Sequence, residues 1–317
     1  MYKALVIGCG NIGAMYDFEN NEIQTHTKAL VLNGNFEVTV FDTDKALAQK
    51  VAQKYQIKAT NEVSNLQNYD LVCICSPTST HIHYLEKCLE AKVKLTICEK
   101  PISYNKLEIL QFAHKKLINH YTDNLKILVN YPRPFLSAYQ DLKKDIQTIL
   151  QTDKLSNVAV KYYKGWLNYA SHAFNLLEFL FDTDIRFIRT DVLSKEYDFF
   201  EKDPTISLYA WWDFVPVHFI GLVKTNFSIF EIELYFQNHK ILIHSQGNTI
   251  EIYQKNEQPY AVFPPQPSKT YQNCLKDYMK YVILHAEQML KDKKMEDNFD
   301  KASNLNQFFL HILENEK

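Results

Sequence analysis

The chain has 317 residues, 46% hydrophobic and 14% aromatic, with 35 Lys and Arg against 37 Asp and Glu, a formal charge of −2. That supplies apolar material for packed cores at a length beyond one core, and excludes a disordered tail or a basic nucleic-acid stripe. The most apolar later stretch, Leu208–Val223, is broken by Asp213, Pro216 and His218, so no membrane span is expected.

In chain order, Ala4–Ile7 is a short continuous apolar strand of the kind buried on both faces. Gly8-Cys9-Gly10-Asn11-Ile12-Gly13 follows and leads into a helix, with Tyr16–Gln24 as a loop insertion. Phe36–Phe41 is a second strand ending at Asp42, and Leu47, Val51 and Tyr55 have helical spacing. Leu71–Cys75 is a strand closed by Ser76-Pro77-Thr78, and Ile82, Leu85 and Leu89 mark an amphipathic helix. Val93–Cys98 is the strand that delivers Glu99-Lys100-Pro101. Leu107, Leu110, Ala113 and Leu117 mark another helix, and Lys126–Asn130 a further strand. This regular alternation predicts βαβ units and a doubly wound parallel sheet over residues 1–129.

The pattern changes from residue 130. Val158–Tyr163, Ile206–Trp212, Val217–Thr225, Ile229–Phe236, Lys240–Ser245 and Thr249–Tyr253 are successive strand candidates, the last two joined by a tight turn at Gly247-Asn248. Helices are expected near 134–150 and 168–181, and a C-terminal one from about Tyr271. Residues 130–317 therefore read as an α+β domain on a mostly antiparallel open sheet. The six cysteines, 9, 73, 75, 88, 98 and 274, sit mostly in apolar strands. Cys73 and Cys75 share a face of one strand, a spacing unlike a CxxC turn, so they read as reduced thiols and no metal site is expected. Met1-Tyr2-Lys3 runs straight into Ala4–Ile7, too short for a signal-peptide core, and a cytoplasmic location is expected.

Gly8 permits the tight turn, Gly10 lets backbone approach a pyrophosphate, and Gly13 allows close helix–strand packing. Asp42 would accept hydrogen bonds from adenosine ribose hydroxyls and repel a 2′-phosphate, favouring NAD over NADP. Its spacing from the glycines exceeds the usual ~20 residues because of the insertion. The alternative is a glycine turn with an aspartate capping the next helix. Lys100 ends a parallel strand, beside the crevice where such sheets bind ligands. There it could act as acid or base, or be a surface lysine. Asn168, His172 and Asn175 share one helix face, either a ligand-facing surface or a solvated one. Arg133, between Pro132 and Pro134, would clamp an anionic or hydroxyl-rich substrate or pair with an acid. Trp211 and Trp212 read as core or interface.

Together these residues resemble the Gfo/Idh/MocA family of sugar and polyol oxidoreductases. Three blocks carry the resemblance: Leu5–Gly13, the run Asp70–His81, and Cys98-Glu99-Lys100-Pro101; His26 matches a common family position. The resemblance implies a Rossmann domain and a C-terminal domain whose open sheet forms the interface of a homodimer or homotetramer. It implies cofactor contacts from Gly8, Gly10, Asn11, Ile12, Gly13 and Asp42. It also places Ser76, Pro77, Thr78, His81 and Glu99 along the nicotinamide half. Lys100 matches the proton-transferring lysine, and His172 a histidine that contacts the substrate hydroxyl. Asn168 stands where many members carry aspartate, and Asn175 where another acid is common. Proton handling would then rest on Lys100 and His172, with Asn168, Asn175 and Arg133 holding substrate.

The resulting expectation is an NAD(P)-dependent oxidoreductase acting on CH–OH groups of a sugar-like small molecule, NAD(H) preferred. Two rivals stay open: a relative using NAD for imine reduction or transient oxidation, and a non-catalytic dinucleotide sensor.

Overall fold

The computed structural model describes residues 1–123, 125–257 and 262–315. Packing divides the chain into two units, Met1–Pro132 with Asp277–His311, and Arg133–Lys276 with the residues from Ile312 onward. The helices are α1 (His26–Asn33), α2 (Lys45–Tyr55), α3 (His81–Glu90), α4 (Lys106–Asp123), α5 (Ser137–Ile149), α6 (Ser171–Phe181), α7 (Tyr278–Lys291) and α8 (Phe299–Asn315).

The first unit is built on β1 (Tyr2–Ile7), β2 (Phe36–Phe41), β3 (Lys58–Ala59), β4 (Leu71–Ile74), β5 (Leu95–Cys98) and β6 (Lys126–Val129). All pair in parallel, in the order β3-β2-β1-β4-β5-β6. Residues 4–7 and 71–74 are at most 1% exposed, which is why both strands read as unbroken apolar runs. Each such aliphatic side chain contributes roughly 1.5–3 kcal/mol by leaving water. Strand order reverses between β1 and β4, the point where open sheets of this kind form a ligand crevice outside the strands' carboxyl ends.

The outer edge of β6 is covered by side chains rather than by another strand. Asp297 accepts from the Ile127 N–H at 2.8 Å, and Asn298 accepts from the Val129 N–H at 2.7 Å and donates to its carbonyl at 2.9 Å. Lys126 donates to Met289 O and Asp292 O at the end of α7. Residues 277–311, placed by sequence with the second domain, thus pack in the first unit. The helix expected from Tyr271 begins at Tyr278, because Lys269–Tyr271 is a strand, and the segment forms two helices.

α4 turns a different face inwards from the one its leucines suggest. Leu107, Leu110 and Leu117 are 60, 45 and 54% exposed, whereas Ile109, Phe112 and Lys116 are buried. Lys116 is accommodated because its Nζ lies 3.1 Å from Asp297 and over the Phe299 ring.

The second unit holds β7 (Leu155–Tyr163), β8 (Phe187–Glu196), β9 (Thr205–Trp212), β10 (Val215–Leu222), β11 (Phe230–Phe236), β12 (His239–His244), β13 (Thr249–Gln254) and β14 (Lys269–Tyr271). Their order is β14-β13-β12-β11-β7-β10-β9-β8, antiparallel except for β7 with β10. Val158, Val160, Leu208, Phe219, Ile232 and Leu234 alternate into the buried face. α6 packs there, its Phe174 stacked on Phe219. The β12–β13 connection is wider than the expected tight turn: Ser245, Gln246 and Gly247 all adopt positive φ before Asn248. All six cysteines are buried outside disulfides, and burial pushes the Cys9 and Cys88 thiols up to about 12.

Candidate active site

The chain turns sharply where β1 ends. Gly8 has φ +99°, and a Cβ on it would lie 2.8 Å from the Cys75 carbonyl at the end of β4. A Cβ on Gly13 would lie 1.9 Å from Gly8 O, so no side chain fits. Gly10 differs, because a Cβ there would meet nothing within 4 Å. Its backbone borders open space, as a pyrophosphate requires. Asn11 and Ile12 open a short wide turn in which the Met15 N–H reaches Gly10 O and the Tyr16 N–H reaches Asn11 O. The insertion then closes on itself: buried Asp17 accepts from Gln24 N–H and from the Thr25 N–H and hydroxyl before α1 begins.

Asp42 spans this turn. One carboxylate oxygen accepts from the Cys9 N–H at 2.7 Å and the other from the Asp44 N–H at 2.8 Å. The cap of α2 is Asp44, which accepts from the Ala46 and Leu47 N–H groups. Asp42 is therefore not the helix cap of the alternative reading. It is half-exposed and fixed against the glycine turn. The residues fit a dinucleotide whose pyrophosphate passes Gly10 and whose ribose meets Asp42.

On the other side of the crevice, β5 ends in Glu99 and Lys100. Buried Glu99 accepts at Oε1 from His26 Nε2 (2.7 Å) and Asn130 Nδ2 (2.6 Å). Burial pushes this carboxyl up, but the hydrogen bond and charge of His26, the Asn130 amide and the Lys100 ammonium outweigh it and hold it below the usual range. Lys100 is half-buried. The segment after it is pinned by Asn306 of α8, which accepts from the Ile102 and Ser103 N–H groups and donates to Ser103 O. His81 lies buried between Ser76 O (2.8 Å) and Pro101 O (2.9 Å), so it ties the loop after β4 to the one after β5. Burial lowers its pKa against the pull of those carbonyls. Ser76, Pro77 and Thr78 form the lip of that loop, Pro77 exposed and the other two half-buried, and the Ser76 hydroxyl bonds Thr80. Sequence reasoning missed Asn130 altogether, and gave His26 no role.

In the second unit, Asn168, His172 and Asn175 do share a half-exposed face, while Ala170, Phe174 and Leu177 are buried. The start of this helical run is set by Asp203, also missed. Buried Asp203 accepts from the Leu167 N–H at 2.7 Å and the Asn168 N–H at 2.9 Å. Gly165, at φ +91°, leaves room for it. The His172 ring meets Tyr169 edge-on. Arg133 lies buried over the Phe230 ring and donates to Gln246 O, bracing the β12–β13 connection.

Residues 2–122 match an oxidoreductase family with an NAD-binding Rossmann fold, that of Gfo/Idh/MocA. That match places residues 2–122 in the NAD-binding domain of this family. Inositol 2-dehydrogenase from Rhizobium meliloti is 27% identical over 144 residues, 44% of this chain and 39% of that protein. Among solved structures, UDP-N-acetylglucosamine 3-dehydrogenase from Acidithiobacillus ferrooxidans superposes with a TM-score of 0.77 at 15% identity, over 98% of this chain and 96% of its own. A 3-ketoreductase from Actinomadura kijaniata, in complex with NADP and TDP-benzene, gives 0.73 at 11% identity over 98 and 96%. The parallel and mostly antiparallel sheets are the two that the resemblance implies, and among the described residues no helix is long and apolar enough to cross a membrane.

Proposed function

We propose that this protein is an NAD(H)-dependent oxidoreductase acting on a carbinol or carbonyl carbon of a sugar or nucleotide-linked sugar. When bound, the nicotinamide supplies the hydride. Lys100 Nζ gives a proton to the carbonyl oxygen in reduction and takes it back from the hydroxyl in oxidation. Asn168 and His172 orient the substrate oxygens, with Asn175 and Arg133 further along the substrate. The observation that carries the reading is Asp42, locked by the Cys9 N–H across a glycine turn with open space at Gly10. Its carboxylate supports NAD over NADP by repelling a 2′-phosphate. The A. kijaniata relative holds NADP, so this preference rests on Asp42 alone. The same reading includes a homodimer or homotetramer through the eight-stranded sheet, whose outer face carries Tyr209, Trp211, His218 and Ile220. Sedimentation would report this assembly.

Thermal unfolding of nucleotide-free protein with NAD+, NADH, NADP+ and NADPH tests the cofactor. A ligand at ~100 times its Kd adds roughly 2.7 kcal/mol. Stabilisation by NAD(H) is expected. Stabilisation by NADP(H) alone would overturn the role of Asp42, and none at all would overturn the oxidoreductase reading.

A further inference from the structure

His26 is a buried titratable residue that the proposed chemistry does not use. It stands at the start of α1, wholly enclosed, behind the N-cap Thr25 that Asp17 fixes. Its Nε2 meets a carboxylate, which only accepts, so Nε2 carries a proton and donates it. Its Nδ1 is buried with no partner among the described residues. The ring is therefore held from one side only, by Glu99. Asn130 donates to the same oxygen from the end of β6. Two elements distant in sequence thus converge on one oxygen of the residue before Lys100.

A carboxylate this enclosed stays ionised only when donors or cations compensate its lost hydration. Several groups around Glu99 bear on its charge. Cys73, Cys75 and Cys98 lie around it, and burial keeps all three as neutral thiols. His81 is pushed towards its neutral form by burial. The His26 N–H and the Lys100 ammonium act the other way and favour the ionised carboxyl. Attraction between two charges is reciprocal, so the field that keeps Glu99 ionised also keeps Lys100 protonated.

We propose that His26 is a positioning residue for Lys100, acting through Glu99. By donating to Oε1, with Asn130, it keeps the carboxylate anionic and immobile, and the carboxylate holds Lys100 as the ammonium that carries a proton to the substrate oxygen. This rests on the reading of Lys100 as proton carrier. Without the His26 donor, burial neutralises Glu99, and a half-buried lysine without its counter-charge releases its proton more readily.

The test is an NMR titration of the protein after reductive methylation with ¹³C-formaldehyde, the Lys100 signal being assigned by its loss in Lys100→Arg. In His26→Leu the titration midpoint of that signal falls by about one pH unit. In His26→Gln, whose amide can still donate to Oε1, it stays near the wild-type value. Asn130→Ala, the milder variant should His26→Leu fold poorly, lowers it in the same direction. A purely structural His26 would lower Tm in the Leu variant and leave the midpoint in place, which overturns the proposal. Turnover of Lys100→Ala reports separately on the proton-carrier reading, so failure of one is told apart from failure of the other.

Discussion

The two units hold their candidate site groups in different ways. In the first, Asp42, Glu99 and His81 each have at least two hydrogen-bond partners, drawn from separate segments of the chain. In the second, the run carrying Asn168 and His172 is tied at its start by one short stretch, Asp203–Thr205. Redundant anchoring fixes position so firmly that losing one bond acts mainly through charge. Backbone hydrogen bonds gathered at one point make the start of a helical run sensitive to loss of that point. The first arrangement suits a ligand of fixed shape, and the second makes the position of the Asn168 face depend on Asp203.

The sharpest break of this comparison is chemical. Lys100→Ala lowers turnover by about 10²–10⁴-fold and leaves NADH-induced stabilisation intact; turnover within tenfold of wild type would remove Lys100 from the chemistry. Next come the glycines. Gly13→Ala places a methyl into Gly8 O, costs more than about 2 kcal/mol and removes nucleotide binding. Gly10→Ala stays within about 0.5 kcal/mol of wild-type stability yet weakens nucleotide binding, since only the ligand occupies that space. In the second unit, Asp203→Ala costs about 2 kcal/mol in urea unfolding, raises KM for the sugar-like substrate and leaves the nucleotide Kd unchanged. A change in nucleotide affinity there would contradict the separation of roles.

The smallest effect is acid sensitivity. Glu99 has its folded pKa below the ordinary 4.5, so its stabilising contribution is complete above that value and is lost as pH falls through the lower folded one. Glu99→Gln therefore flattens the acid limb of stability measured between neutral pH and about pH 3. An unchanged acid limb would remove the anionic Glu99.

Five strands of the first sheet were legible because they are largely buried and mostly apolar, whereas the two-residue edge strand β3 left no signal. The same logic misled at α4, where the leucine stripe is exposed and the buried stripe contains Lys116, a residue that reads as solvent-facing until Asp297 is known to meet it. β8 left no signal because it is an edge strand in which Arg189, Asp191, Lys195 and Glu196 interrupt any alternation. Among the candidate site residues, Asp42 and Lys100 stand out in the sequence by their places at strand ends. Asn130 and Asp203 do not, since a buried polar residue owes its position to partners far away in sequence.

The side-chain cover on β6 sets an order of assembly. The first unit is not complete until Asp297 and Asn298 are translated, and they follow all of residues 133–276. Until they emerge, the parallel sheet keeps an open edge, Lys116 lacks its Asp297 partner and the segment after Lys100 lacks Asn306. A nascent chain stalled after residue 132 therefore carries the glycine turn and Asp42 without a sheet stable enough to use them, and a premature stop near residue 290 disables nucleotide binding as surely as a lesion in the glycines.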